Sequence, residues 1–314
     1  MEMPMSKKIL ITDELFILPD HEMALRQAGF TELLRLKEVM ASEETLCEAI
    51  KGAAGYILGG IEQVSARVIA AGAPTLRAIA FTGSGYRDFI PGYEEATARG
   101  IKITNAPGAN APAVAEFTIA LTLSMVRRLP DFNRPGGLSF WEAPDFGDLT
   151  VAIVGYGEVG SRVARMFRAL GFNVVVVAAN GPNVELDGFE RVNVSELPAR
   201  ANVISLHVSK PRGEAVLDRE LISLLASGTI VVNAAFPDAV DQEALAARVR
   251  LGELFVAFDA PMEVADKNFP AGRYIESNAQ TGFHTKRAIK RTSDMVTTSI
   301  INVLTTGDDT HLVN

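Results

Sequence analysis

Residues 153–177 read IVGYGEVGSRVARMFRALGFNVVVV, and this stretch decides the fold of the chain. An apolar strand runs into Gly155, Gly157 and Gly160, which stand in the order G-x-G-x-x-G and open a helix that leads to a second apolar strand. In this setting the first glycine forms a tight turn, the second lets the backbone approach a pyrophosphate, and the third lets the helix pack on the strand. The amino end of the helix also stabilises the charge of a phosphate. The spacing therefore favours dinucleotide binding over the alternative, a glycine-rich turn without a ligand.

The end of the second strand bears on which dinucleotide binds. In NAD enzymes this strand ends in an acid that accepts hydrogen bonds from the adenosine ribose. Here the strand runs into Ala178 and then Asn180, which neither repel a 2′-phosphate by charge nor attract one. Asn180 can hydrogen-bond either cofactor, so the sequence leaves NAD and NADP open and predicts modest discrimination. The residues predicted to hold the cofactor here are Gly155, Tyr156, Gly157, Glu158, Val159, Gly160, Ala178 and Asn180.

The composition predicts a globular protein of the cytoplasm with two domains. A chain of 314 residues is long for a single hydrophobic core. Hydrophobic residues make up 48% of the chain and charged residues 22%, which is typical of a globular protein and not of a disordered one. The net charge is −8 without a basic block, so neither nucleic acid nor a membrane surface is an expected partner. The single cysteine, Cys47, cannot form an intrachain disulfide, which fits a reducing compartment. Asp13 interrupts the first apolar stretch too early for a signal peptide, and no run reaches the roughly 18 apolar residues of a membrane span.

Strands alternate with helices in two series, which is typical of parallel sheets. The first series has its strands in KILITD (8–13), AGYILGG (54–60), LRAIAFTGSGY (76–86) and IKITN (101–105). The second has them in TVAIVG (150–155), NVVVVAA (173–179), ANVISLHV (201–208), GTIVVNA (228–234) and LFVAFDA (254–260). A long apolar helix at 111–128 and an irregular arm reaching residue 148 lie between the two series, and a last helix covers about 286–304. The predicted fold is α/β, with two doubly wound parallel-sheet domains.

Several stretches together resemble the D-isomer-specific 2-hydroxyacid dehydrogenases, the family of D-lactate, D-glycerate, phosphoglycerate and formate dehydrogenases. The resemblance covers nearly the whole chain, and its motifs come in the family's order. They are FTGSGYRDF (81–89), the helix segment within 100–128, the glycine turn, ANVISLHV (201–208), VVNAAFPDAVDQEAL (231–245) and NAQTGFH (278–284).

The resemblance implies an NAD(P)-binding Rossmann domain, residues 106–285, inserted into a flavodoxin-like substrate domain made of residues 1–105 and 286–314. It implies a homodimer formed through residues 111–148, a small-molecule substrate, and NAD or NADP as cofactor; no metal site is predicted. The substrate loop falls on Ser84, Gly85, Tyr86 and Arg87. Further cofactor contacts fall on His207, Asn233, Ala234 and Asp259, with His207 also expected to pack within the structure.

The chain departs from the family at the residues that do chemistry. The family uses an arginine that binds the substrate carboxylate, a histidine that moves the proton, and a glutamate that partners the histidine. Its V-N-x-x-R-G motif falls on residues 232–237, where Phe236 stands in the arginine position and Pro237 follows. Because proline fixes its own φ, lacks an N–H and disfavours the helical conformation before it, Phe236 is expected to be extended.

The proton-transfer pair is also altered. His284 matches the catalytic histidine, although Phe283 stands where the family has proline. The glutamate position, five residues after Asp259, is Val264, and Glu263 lies one residue short of it. A shifted loop could still bring Glu263 to the histidine. A lone histidine is often structural, but the place of His284 in the matched segment favours a catalytic role.

Three hypotheses follow. The first is an NAD(P)-dependent oxidoreductase interconverting a hydroxy and a carbonyl compound, with a substrate other than an ordinary small 2-keto acid. The second is a catalytically silent dinucleotide-binding homologue with a regulatory or scaffolding role. The third is a weak 2-hydroxyacid dehydrogenase that binds its anion through Arg87 or Lys286, although each taken alone reads as a solvated surface charge. The first ranks ahead because the cofactor turn, the substrate loop and His284 all persist while the family's arginine is replaced.

Overall fold

The chain forms two compact units, each built on a parallel sheet. The computed structural model describes residues 6–12, 17–37, 40–132, 142–178, 185–209 and 215–314. One unit comprises Met1–Asn110 and Thr285–Asn314, and the other comprises Ala111–His284. The sequence-based boundaries, after residues 105 and 285, lie close to these. The predicted α/β class with two parallel-sheet domains is confirmed.

The first unit is a five-stranded sheet in the order β2-β1-β3-β4-β5, with every strand pair parallel. Its elements up to residue 110 are β1 (Lys8–Thr12), α1 (Pro19–Gln27), β2 (Glu32–Leu36), α2 (Glu43–Ala49), β3 (Ala53–Leu58), α3 (Ala66–Gly72), β4 (Ala78–Phe81), α4 (Tyr93–Ala98) and β5 (Lys102–Thr104). The strand order is that of flavodoxin-like folds. Two apolar clusters include buried residues of the sheet.

The second unit is a seven-stranded sheet in the order β12-β11-β10-β9-β6-β7-β8. Its helices are α5 (Ala111–Val126), α6 (Glu158–Ala169), α7 (Leu197–Arg200), α8 (Arg219–Leu224) and α9 (Gln242–Arg250). Its strands are β6 (Thr150–Val154), β7 (Asn173–Val177), β8 (Glu190–Arg191), β9 (Val203–Leu206), β10 (Ile230–Asn233), β11 (Phe255–Phe258) and β12 (Tyr274–Glu276). The strand order reverses where β6 lies beside β9, and such a switch point is where α/β sheets bind ligands, at the carboxyl ends of the strands.

The last helix, α10 (Lys286–Thr306), returns the chain to the first unit. It packs on β3 at Gly55, where an added Cβ would lie 2.8 Å from the Ile300 side chain and 3.0 Å from that of Leu304. A larger side chain at position 55 would therefore require the ends of these side chains to move.

The long helix α5 ends two residues earlier than the sequence predicted. Its apolar and small side chains are buried in the core of the second unit. The chain leaves the helix through Arg128, which has a left-handed conformation with φ of 52° and forms an ion pair of 2.8 Å with Asp131. Residues 133–141 of the predicted arm lie outside the described part of the chain. Among the described residues, no helix is both long and apolar enough to cross a membrane.

Candidate active site

The glycine turn lies at the carboxyl end of β6. Gly155 has φ of +98°, which favours glycine, and its N–H donates to the carbonyl of Val177 at 2.8 Å. A Cβ on Gly160 would overlap the carbonyl oxygen of Gly155, so only glycine lets α6 start this close to the strand. Gly157 has no atom within 4 Å of the place a Cβ would take. The turn therefore leaves open space in front of the amino end of a 12-residue helix, as a pyrophosphate site requires.

The other predicted residues of the turn divide between core and surface. Val159 packs on the core of the unit, while Glu158 is exposed and lies 3.4 Å from Arg162 of the next helical turn. The Tyr156 hydroxyl donates to Asp187 at 2.9 Å. Ala178 is half-buried at the end of β7, and Asn180 lies outside the described residues.

His207 lies on the other side of the switch point, after β9. Its backbone carbonyl closely approaches Gly155, and its Nε2 lies 2.8 Å from the Ser205 hydroxyl. Burial lowers the pKa of His207 to about 3, so the ring is neutral at physiological pH. The backbone of His207 therefore packs against the glycine turn. Among the described residues its buried Nδ1 has no hydrogen-bond partner, and it lies beside the predicted cofactor site.

The turn that carries Phe236 is held by the buried side chain of Asn233. The Asn233 amide oxygen accepts from the Ala235 N–H at 2.9 Å, and its nitrogen donates to the Phe236 carbonyl at 3.0 Å. The Asn233 side chain thus builds the turn, and Ala234 is half-buried beside it. The cofactor contacts of both residues stay a prediction. Phe236 is half-buried and extended, with φ of −80° and ψ of 143°, as Pro237 requires.

Asp259 anchors the segment that leads to His284. Its buried carboxylate accepts from the backbone N–H groups of Thr281 at 2.8 Å and Gly282 at 2.9 Å, and from the Ser277 hydroxyl at 3.0 Å. Gly282 is required here, since a Cβ would lie 2.6 Å from the carboxylate. The Asp259 side chain positions the loop that carries the histidine, and its contact with the cofactor stays a prediction.

The same loop is tied to the Phe236 turn. The Gln280 side chain donates to the Ala235 carbonyl at 3.3 Å. His284 itself is exposed, its backbone N–H donates to the Thr281 carbonyl at 2.9 Å, and its ring packs edge-on against Phe283 with centroids 4.1 Å apart. The structure therefore places Phe236 and His284 on two directly connected segments at the carboxyl edge of one sheet.

Glu263 does not partner His284. Among the described residues no hydrogen bond or ion pair joins the two side chains, and Glu263 is exposed. The backbone explains this, because the N–H of Met262 is held by Glu276 at 2.7 Å and that of Glu263 by Gln242 at 2.7 Å. These contacts fix the loop against β12 and α9.

In the first unit, the predicted substrate loop follows β4. Ser84 and Gly85 are exposed, and the Ser84 carbonyl accepts from the Asn105 side chain at 3.1 Å. The guanidinium of Arg87 lies 4.2 Å above the Tyr93 ring and 5.8 Å from the Tyr86 ring. Arg87 is also 3.8 Å from Glu94. Lys286 is exposed on the first turn of α10.

The sequence reading missed a buried polar network at the carboxyl edge of the same sheet. The Tyr56 hydroxyl donates to Glu62 at 2.8 Å and lies 3.3 Å from the Thr12 hydroxyl. Burial and the nearby Glu62 charge raise the pKa of Tyr56 well above its usual range. The second oxygen of the Glu62 carboxylate is buried without a hydrogen-bond partner among the described residues. A glutamate two residues after a glycine pair was the available signal, but nothing local marks it as buried.

Comparison with known proteins gives the family. Residues 119–270 match the family model described as D-isomer specific 2-hydroxyacid dehydrogenase, NAD binding domain. The chain is 30% identical over 240 residues to the hydroxypyruvate reductase of Thermotoga maritima, covering 72% of this chain and 77% of that protein. The chain belongs to the D-isomer specific 2-hydroxyacid dehydrogenase family.

Other members of this family differ in length. The D-3-phosphoglycerate dehydrogenase of Methanocaldococcus jannaschii is 29% identical over 309 residues, which are 95% of this chain and 57% of that protein. The chain thus spans less than two thirds of the length of that relative. A solved structure from Thermus thermophilus superposes with a TM-score of 0.85 at 26% identity, covering 98% of this chain and 100% of that one. The chain therefore shares its two-sheet architecture with that structure.

We expect Gly160→Ala and Gly157→Ala to separate packing from ligand binding at the turn. Gly160→Ala should lower the free energy of unfolding by about 1–3 kcal/mol, because the new methyl group forces α6 away from β6. Gly157→Ala meets no protein atom within 4 Å, so stability should be retained while the methyl group blocks a pyrophosphate and weakens NADH binding by about tenfold or more. Urea denaturation and NADH fluorescence titration measure the two effects. Unchanged NADH affinity in Gly157→Ala would show that no pyrophosphate approaches this glycine.

Proposed function

We propose that the chain is an NAD(P)-dependent oxidoreductase that interconverts a hydroxy and a carbonyl compound. The proposal rests on one observation. The glycine turn, the Phe236 turn and the His284 loop all lie at the carboxyl ends of the strands of one sheet. Family membership supports the same reaction class, since its members are named as dehydrogenases and reductases.

The residues at the switch point fit a dinucleotide. Gly157 leaves open space at the amino end of α6, and the unpaired Nδ1 of His207 is a polar atom that a ligand or its water could satisfy. A bound nicotinamide would supply or accept the hydride. The protein's own contribution is then to orient the substrate and to move one proton.

His284 is the proposed proton donor. Hydride addition to a carbonyl carbon leaves negative charge on the oxygen, and the imidazolium of His284 gives its proton to that oxygen to form the hydroxyl group. The reverse reaction returns the proton to the ring. Asp259 acts as a positioning residue, since its carboxylate holds the backbone of residues 281–282 just before the histidine.

The proposed substrate is a carbonyl compound that is bulkier or less charged than a small 2-keto acid. Phe236 presents an apolar ring where the family has a cation, and burying a carboxylate there without a partner is costly. Arg87 is stacked on the Tyr93 ring and lies 3.8 Å from Glu94, whose negative charge opposes the binding of an anion. The contacts of the described residues therefore add no support to the weak-dehydrogenase hypothesis, and none of them favours a silent homologue. Assembly as a homodimer and a cytoplasmic location stay predictions.

Titration of NADH and NADPH tests the proposal directly. We expect saturable binding of at least one of them below millimolar concentration, read by nicotinamide fluorescence. Gly157→Ala serves as the matched negative control, because it should keep the fold and lose affinity. If neither nucleotide binds the wild-type protein at millimolar concentration, the oxidoreductase proposal is wrong.

A further inference from the structure

We propose that Arg191 selects NADP(H) over NAD(H) by binding the phosphate on the 2′-carbon of the adenosine ribose. This inference rests on the proposed function, since it names the form of the cofactor that the same site takes. It replaces the modest discrimination expected from Ala178 and Asn180 alone.

The argument begins with the position of Arg191. In dinucleotide-binding sheets the adenosine ribose lies at the carboxyl end of the second strand of the βαβ unit, here β7. Ala178 follows β7 and offers no carboxylate to the ribose hydroxyls. The Nη1 of Arg191 donates to the Ala178 carbonyl at 2.9 Å. A guanidinium therefore lies at the strand end where NAD enzymes hold an acid.

Strand pairing brings Arg191 to this place. It lies on β8, which runs parallel to β7 with Arg191 opposite Val176, and the next N–H, of Val192, donates to the Val176 carbonyl at 3.0 Å. The side chain is exposed to solvent. The carboxylate of its neighbour Glu190 is engaged 2.7 Å from Arg200. The planar guanidinium fork matches phosphate oxygens better than the two hydroxyls of an unmodified ribose.

Asp187 is the competing group, because a carboxylate near the turn could accept the ribose hydroxyls of NAD. It already accepts from the Tyr156 hydroxyl at 2.9 Å and pairs with Arg165 at 2.6 Å, and these contacts hold its pKa below the usual range. Arg168 donates to the Asp187 carbonyl at 3.0 Å. Asp187 is thus tied to α6, and its charge is offset by Arg165.

The test compares the two nucleotides in three proteins. Fluorescence titration should give tighter binding of NADPH than of NADH to the wild type, by roughly 10- to 100-fold, the worth of hydrogen bonds to a charged group. Arg191→Gln should bring this ratio close to one through loss of NADPH affinity. Arg127→Gln, an exposed arginine after α5 that lies outside the βαβ unit, is the matched control and should keep the wild-type ratio.

Calorimetry with adenosine 2′,5′-bisphosphate and 5′-AMP isolates the phosphate from the rest of the cofactor. We expect the wild type to bind the bisphosphate more tightly than 5′-AMP, and Arg191→Gln to bind the two with similar affinity. The affinity for the bisphosphate should fall more steeply with salt concentration in the wild type than in Arg191→Gln. A wild-type preference for NADH, or an NADPH preference that survives Arg191→Gln, overturns the inference while leaving the oxidoreductase proposal standing. Failure of both nucleotides to bind instead overturns the proposed function itself.

Discussion

His284→Ala is expected to lower turnover of the true substrate by about 10²–10⁴-fold, the usual contribution of a general acid or base. The physical reason is that the alkoxide formed by hydride addition must otherwise take its proton from water. The loop that carries the residue is held by Asp259 and Gln280, not by the imidazole itself, so the variant should fold normally. Steady-state kinetics with the preferred nucleotide measures the loss.

Two controls make this result specific. The affinity of His284→Ala for the nucleotide should stay close to that of the wild type, because the variant leaves the glycine turn that faces the pyrophosphate unchanged. Lys290→Gln removes an exposed charge of α10, six residues away, and should leave turnover unchanged. Wild-type turnover in His284→Ala would show that another group moves the proton.

Pyruvate, glyoxylate and hydroxypyruvate are expected to be poor substrates of the wild type, by roughly 10²–10³ in rate relative to larger, less charged ketones or aldehydes. Losing one preorganised donor to developing negative charge costs about 2.7–4 kcal/mol in a water-poor site. The substrate carboxylate also loses its anchor, which should raise KM. Phe236→Arg should recover part of this activity, because Asn233 and Pro237 already hold the turn in one conformation.

Phe236→Leu is the matched control, since it changes the size of the side chain without adding charge. It should leave 2-keto acid turnover low, and denaturation curves of both variants show whether the half-buried position tolerates the change. Brisk wild-type turnover of pyruvate or glyoxylate would contradict the prediction. It would indicate that Arg87 or Lys286 binds the carboxylate in place of the missing arginine.

Part of the fold could be predicted from the sequence, because it depends on interactions between residues that are close along the chain. Buried strands such as β3 and β10 read as apolar runs because both faces of a parallel sheet are covered. Asp241 caps α9, accepting from the Ala244 N–H at 2.9 Å. The extended conformation of Phe236 follows from the proline that comes next. Each of these features depends on residues within a few positions of one another.

Three of the four edge strands in the described part of the chain could not be predicted in this way. The sequence-based assignment omitted β2, β8 and β12, whose residues are half-buried or exposed and carry no continuous apolar pattern. Their strand conformation depends on hydrogen bonds to a neighbouring strand that lies elsewhere in the chain. Such strands become visible only once the sheet is assembled.

The contacts that shape the candidate site are also non-local. Asp259 meets Thr281 across 22 positions, and Arg191 meets the Ala178 carbonyl across 13, with no spacing rule that predicts either pair. The sequence by itself determined the two parallel-sheet domains, the glycine turn and the exchange of an arginine for Phe236. Only the tertiary structure decided that Asp259 positions the His284 loop, that Glu263 does not partner the histidine, and that a cation lies at the end of β7. The physical reason is that strand pairing and burial join residues whose separation along the chain carries no signal.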